Sequence, residues 1–139
     1  MKTKSNRKTP KRRNLLTVTA LIILIGTALS GITIQRKTEK LCAEAEILLS
    51  ASEEFAMSGN FADAESTALK LREFWAEESA YLGLFYEHNT SNRITEGIAC
   101  LCVSAKDESL VAFMTTAESL KEQIKVLSDY DTVTALNII

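Results

Sequence analysis

Proline occurs once in this chain, at Pro10, so nothing beyond that residue breaks a helix by removing a backbone donor. Glycine is nearly as scarce: of five, only Gly59, Gly83 and Gly97 lie beyond residue 34. Sustained period-two alternation, the mark of a half-buried strand, is missing apart from a trace in the last residues. Helix is the regular structure that remains. Histidine also occurs once, at His88, so neither H-x-x-x-H nor H-E-x-x-H can build a zinc site. There is no G-x-x-x-x-G-K, no G-x-S-x-G and no clustered glycine loop. The acid pairs Glu53-Glu54 and Glu77-Glu78 lack the alternating oxygen ligands around a glycine that a calcium loop needs, and read as solvated helix faces. We therefore expect no catalytic residues, no metal ligands, no cofactor and no enzymatic activity.

Cysteine is too sparse for a disulfide framework. Three cannot all pair within one chain, and Cys100 and Cys102 fall on nearly opposite faces of a predicted helix. Cys42 follows Lys40-Leu41 rather than small residues, so no lipobox is present. The cysteines read as small apolar core or surface residues.

What the chain does have is segregation. Residues 15 to 34 (LLTVTALIILIGTALSGITI) carry no charge and no proline. Twenty helical residues rise about 30 Å, the hydrocarbon thickness of a bilayer. In lipid the backbone must satisfy its own polar groups, so this stretch should be a helix. Seven of the sixteen Lys and Arg precede it, with no acid, and the remaining nine face all eighteen Asp and Glu after Gln35. A net charge of −2 thus divides into a +7 tail and a −9 body. The Lys/Arg excess predicts an N-terminus inside and a domain outside, against the weaker counterweight of Arg36, Lys37 and Lys40. The tail reads as a topology signal that also touches anionic lipid, and the acidic body argues against nucleic acid as a partner. Ala28-Leu29-Ser30 also resembles a signal-peptide cleavage site, but the apolar run continues four residues past it, which favours an uncleaved anchor.

The expected organisation is a basic cytoplasmic tail (1–14), a transmembrane anchor (15–34) and an extracytoplasmic helical domain (35–139). The fold class is all-α: the transmembrane helix followed by a small antiparallel bundle of about four helices. The first continues from the span over Arg36 to Met57, with Leu41, Ala45, Leu48, Ser52 and Phe55 at helical spacing. Gly59 suits a left-handed helix end and Asn60 a cap for the next helix. That second helix runs from Phe61 to about Tyr86 on a seam of Phe61, Ala64, Ala68, Leu71, Trp75, Leu82 and Phe85. Glu78 falls in the seam, so it opens to solvent or needs a buried partner. A third helix over Ser91–Ala105 presents Ile94, Ile98, Leu101 and Ala105. A fourth begins near Asp107, where an acid suits the helix dipole, with Leu110, Phe113, Ala117, Leu120, Ile124 and Leu127. From Asp129 an apolar tail is expected to dock on the core. The turn from Met57 to Ala64 resembles a tetratricopeptide-type hairpin, without a second 34-residue copy.

Two groups of residues invite a functional reading. Trp75, Glu78, Glu87 and His88 gather the only Trp and the only His, as an interaction or small-ligand site. Neighbours on a helix point about 100° apart, so Glu87 and His88 do not converge as an acid–base pair. The plainer expectation is that His88 bonds free carbonyls at the end of helix two, with Trp75 as a core anchor. In the span, Gly26 and Ser30, and Thr27 and Gly31, are small residues four apart that would let another helix approach closely.

The basic start, the single span, the helix pair joined at Gly59-Asn60-Phe61, Trp75, the Phe85-x-Glu87-His88 segment and the terminal Leu136-Asn137-Ile138-Ile139 resemble the Domain of Unknown Function 4363 family. The resemblance covers nearly the whole chain from the span onward. It implies a small single-pass membrane protein of a Gram-positive (Firmicutes) source, with its domain on the outer face of the cytoplasmic membrane. The family is uncharacterised, so no activity comes with it. Asn89-Thr90-Ser91-Asn92 depart from the family's acidic and aliphatic residues after the histidine, against any shared metal or acid–base role there.

The functional expectation is a non-catalytic accessory or scaffold protein that binds another membrane or envelope protein, with a homo-oligomer as a further option. The alternative is an extracytoplasmic small-ligand-binding or sensor bundle built around Trp75, Glu78 and His88.

Overall fold

The computed structural model describes residues 10–85 and 88–136, and their side chains over 15–84 and 89–129. Among them the regular structure is helical, without strands: α1 (Pro10–Met57), α2 (Phe61–Glu78), a 3-10 turn (Ser79–Tyr81), α3 (Leu82–Phe85), α4 (His88–Lys106) and α5 (Leu110–Leu136). The chain divides into two compact units, residues 1–35 and 36–139.

In the first unit, every side chain from Leu15 to Thr33 is exposed. This part of α1 is long and apolar enough to cross a membrane. Its hydroxyls turn back onto their own helix: Thr19 donates to the Leu15 carbonyl at 2.9 Å, Ser30 to Gly26 at 2.8 Å and Thr33 to Leu29 at 2.9 Å. A hydroxyl bonded within its helix avoids most of the cost of leaving water.

The second unit is a helical bundle whose ends can be followed by hydrogen bonds. The hydroxyls of Thr38 and Tyr81 share one of 3.1 Å, pinning the start of this unit to the 3-10 turn. Near the other end of the α1–α2 hairpin, Ser52 Oγ donates to the Ala64 carbonyl at 2.8 Å. α4 runs back along α2, with Trp75 Nε1 donating to Thr95 Oγ1 at 3.1 Å. α5 returns along α4, close enough that a Cβ on Gly97 would lie 2.6 Å from Leu120 Cδ2. Lys121 of α5 then reaches Glu53 of α1. The α1–α2 and α4–α5 turns therefore share one end of the bundle, and Tyr81 and Leu84 mark the other.

The core follows from helical spacing: Leu41, Ala45 and Leu49; Ala64, Ala68, Leu71, Trp75 and Leu82; Ile94, Ile98, Leu101 and Ala105; Phe113, Ala117, Leu120, Ile124 and Leu127 are all buried. Each large side chain contributes about 1.5–3 kcal/mol by leaving water. The expected stripes on α4 and α5 are the observed ones except Leu110, 42 % exposed at the first position of α5. On α1 the stripe is rotated. Leu49 and Ala56 are buried, Leu48 is half-buried and Phe55 is 37 % exposed.

Three boundaries differ from the expectation. α2 stops at Glu78, which stands in solvent, and a 3-10 turn follows before the buried Leu82. α5 starts at Leu110, not Asp107, because Asp107 and Glu108 terminate α4. α5 continues through Leu136, so the expected tail from Asp129 is helical that far, and Asn137–Ile139 lie outside the described residues.

Candidate functional site

Trp75 comes from the last turn of α2 and is only 1 % exposed, with its indole N–H already engaged by Thr95. Thr95 Oγ1 in turn donates to the Ser91 carbonyl at 2.9 Å, so the chain of donors closes on the backbone of α4. Trp75 is a core anchor between two helices. Glu78, one turn further along α2, is exposed and does not share its surroundings.

The backbone of His88 belongs to α4 (His88–Lys106). The side chain of His88 and the whole of Glu87 lie outside the described residues. Of the four residues singled out at this corner, Trp75 is thus sealed and Glu78 solvated. Among the described residues, no group of three or more His, Cys, Asp or Glu is placed to hold a metal.

The same corner holds a cluster that spacing did not reveal. Tyr81 is half-buried, its hydroxyl on Thr38 and its ring beneath the Lys37 ammonium, 4.3 Å from Nζ to centroid. Such a cation–π contact is worth about 0.5–1 kcal/mol where exposed. Three residues on, Leu84 is 80 % exposed.

In the span, a Cβ on Gly26 or on Gly31 would meet nothing within 4 Å. Thr27 Oγ1 donates to the Leu24 carbonyl at 2.9 Å and Ser30 Oγ to Gly26 at 2.8 Å. This face therefore presents small residues whose polar atoms are already satisfied.

A second unforeseen feature is the buried Glu53, 5 % exposed where a solvated acid was expected; its neighbour Glu54 is in solvent. Glu53 Oε2 lies 2.8 Å from Lys121 Nζ, which also reaches Glu118 Oε1 at 3.3 Å. The hydrogen bond to Glu53, ahead of the opposing effect of burial, raises the Lys121 pKa above its ordinary 10.5. The signal was the period of α1, since Leu49, Ser52 and Ala56 place position 53 at the edge of the buried stripe.

Cys100 is exposed while Cys42 and Cys102 are buried, and none of the three forms a disulfide. Burial is the largest influence on Cys102 and pushes its thiol above the usual range, against the opposing charge of Arg72.

No protein-family model matches the chain, and the searches of curated proteins and of solved structures gave no match either.

Proposed function

We propose that the chain is a non-catalytic, single-pass protein of the cytoplasmic membrane, with its N-terminus inside and its bundle outside. It acts as an accessory or scaffold subunit for another membrane or envelope protein, in keeping with its resemblance to the Domain of Unknown Function 4363 family. One observation carries this reading: an apolar, fully exposed helix of bilayer length runs directly into a helical bundle. The seven Lys and Arg before the span support the orientation. In lipid, helices associate through close packing of small residues, which the Gly26, Thr27, Ser30 and Gly31 face offers.

The alternative, a bundle that holds a small ligand beside Trp75, Glu78 and His88, has less support. Trp75 is buried and bonded to Thr95, and Glu78 is in solvent.

Photo-crosslinking in the native membrane, with the photoreactive residue at position 26 or 31, tests the proposal. One discrete heteromeric adduct, lost when residues 15–34 are replaced by polyleucine, is the expected result. Adducts with lipid alone overturn it, and an adduct with a second copy of the chain replaces the scaffold by a homo-oligomer.

A further inference from the structure

The corner made by the 3-10 turn and α3 closes the end of the bundle at which the chain leaves the span. Residues Ser79 to Tyr86 (SAYLGLFY) carry no charge between Glu78 and Glu87, and three of the eight are aromatic. Tyr81 is one of the chain's three tyrosines. Tyrosine is enriched where a protein meets the headgroup layer, because its ring is apolar and its hydroxyl polar. Leu84 is 80 % exposed at this corner.

The position of this corner relative to the bilayer follows from the chain itself. The hydroxyl of Tyr81 lies 3.1 Å from that of Thr38. Thr38 is four residues from Ile34, the last residue of the apolar run. Four residues span at most about 14 Å when fully extended, and about 6 Å as helix, whatever the angle between the two units. The headgroup region on one side of a bilayer is itself about 5–8 Å thick. Tyr81 is therefore tethered within reach of the headgroups. Leu84, three residues past Tyr81, belongs to the same end, opposite the α1–α2 and α4–α5 turns. Arg36, Lys37 and Lys40 occupy the same level of the chain, and Lys37 lies over the Tyr81 ring. Long basic side chains near the end of a span place their heads among lipid phosphates.

We infer that the Ser79–Phe85 corner is a second membrane contact, with Leu84 entering the headgroup–acyl boundary and Tyr81 and Lys37 lying at headgroup level. The occupant of this exposed apolar corner is the lipid bilayer. The inference rests on the proposed anchor reading of residues 15–34, and it goes beyond it by giving the bundle a lipid-facing end. Insertion through one leucine and the tyrosine beside it adds modestly to an anchor that already holds the chain in the bilayer; its consequence is to orient the bundle.

The test uses the full chain in phosphatidylcholine vesicles with a Cys100→Ser background, since Cys42 and Cys102 are buried. Single reporter cysteines carry an environment-sensitive fluorophore at Leu84→Cys, at Val111→Cys in the first turn of α5, and at Leu24→Cys in the span. Ala80→Cys, exposed one turn before Leu84, is a second reporter if Leu84→Cys perturbs the fold. Lipids with a shallow nitroxide should quench Leu84→Cys at least about twofold more than Val111→Cys, as expected for interfacial insertion, and a deep nitroxide should quench Leu24→Cys. Deep quenching at Leu24→Cys without shallow quenching at Leu84→Cys or Ala80→Cys overturns the corner contact and leaves the anchor standing. Absence of quenching at Leu24→Cys overturns the anchor and the corner contact together. Equal shallow quenching at Leu84→Cys and Val111→Cys also overturns it, because the bundle would then lie on its side.

Discussion

Gly59 and Glu108 hold the same position in two matching helix terminations. At the end of α1, Gly59 N donates to the Ala56 carbonyl at 3.0 Å and Asn60 N to Phe55 at 2.9 Å. At the end of α4, Glu108 N donates to Ala105 at 3.0 Å and Ser109 N to Ser104 at 3.1 Å. Both are Schellman closures, and the pivotal residue is left-handed in each, with φ of 78° at Gly59 and 51° at Glu108. Glycine adopts that backbone without a Cβ penalty, and glutamate does not.

Glu108→Gly should therefore stabilise the domain. Relief of the left-handed penalty is worth about 1–2 kcal/mol, and the greater freedom of glycine in the unfolded chain takes back about 0.4–1, leaving about 0.5–1 kcal/mol. Gly59→Ala, the mirror experiment, should cost about 1 kcal/mol. Urea midpoints of the two variants should move in opposite directions.

Gly97→Ala should destabilise although alanine is the better helix former. Alanine gains about 0.8–1 kcal/mol in propensity, but overpacking a close crossing costs about 1–3. The crossing here is tight, since the new Cβ would fall 2.6 Å from Leu120 Cδ2 and 3.1 Å from Cγ. A net loss of about 1 kcal/mol is expected. In a Leu120→Ala background the penalty should vanish and the sign reverse, which a double-mutant cycle in urea would read.

Lys121 holds the buried Glu53 from the far side of the bundle. Lys121→Met should cost about 1–3 kcal/mol, between an exposed pair and a fully buried one, because the lysine keeps 38 % side-chain exposure. The pH dependence has a definite sign. A lysine pKa raised by folding contributes stability that is complete below the ordinary 10.5 and is lost as pH rises through the higher folded value. The difference in urea midpoint between the wild type and Lys121→Met should thus be flat from pH 7 to 10 and shrink above it. A difference that grows above pH 10.5 would contradict the pairing.

Thiol labelling should separate the cysteines by burial. At neutral pH one maleimide should add rapidly, at Cys100, and two more only after denaturation. The thiolate is the reactive form, and burial raises the Cys102 pKa, so this thiol is doubly protected. Rapid addition of two or three labels to the native chain would contradict the packing of α1 and α4.

The linear pattern by itself determined the helical class, the bilayer-length apolar segment, the turn at Gly59-Asn60 and the core stripes of α4 and α5. Those are local or periodic properties: twenty uncharged residues, a residue free to take φ above zero, and apolar side chains every three or four positions on one face. Asn60 shows how local this can be, since its Oδ1 accepts from Asp63 N at 3.3 Å within a single turn. The tertiary structure alone decided which partner the buried acid would meet and where helix two would rewind. Glu53 and Glu54 are adjacent and chemically identical; the period of α1 sets Glu53 at the edge of the buried stripe, but its partner Lys121 arrives from 68 positions away. Tyr81 likewise acquires its place from Thr38, 43 residues earlier. Partners so distant in the chain leave no period and no spacing to read, because what brings them together is the packing of whole helices.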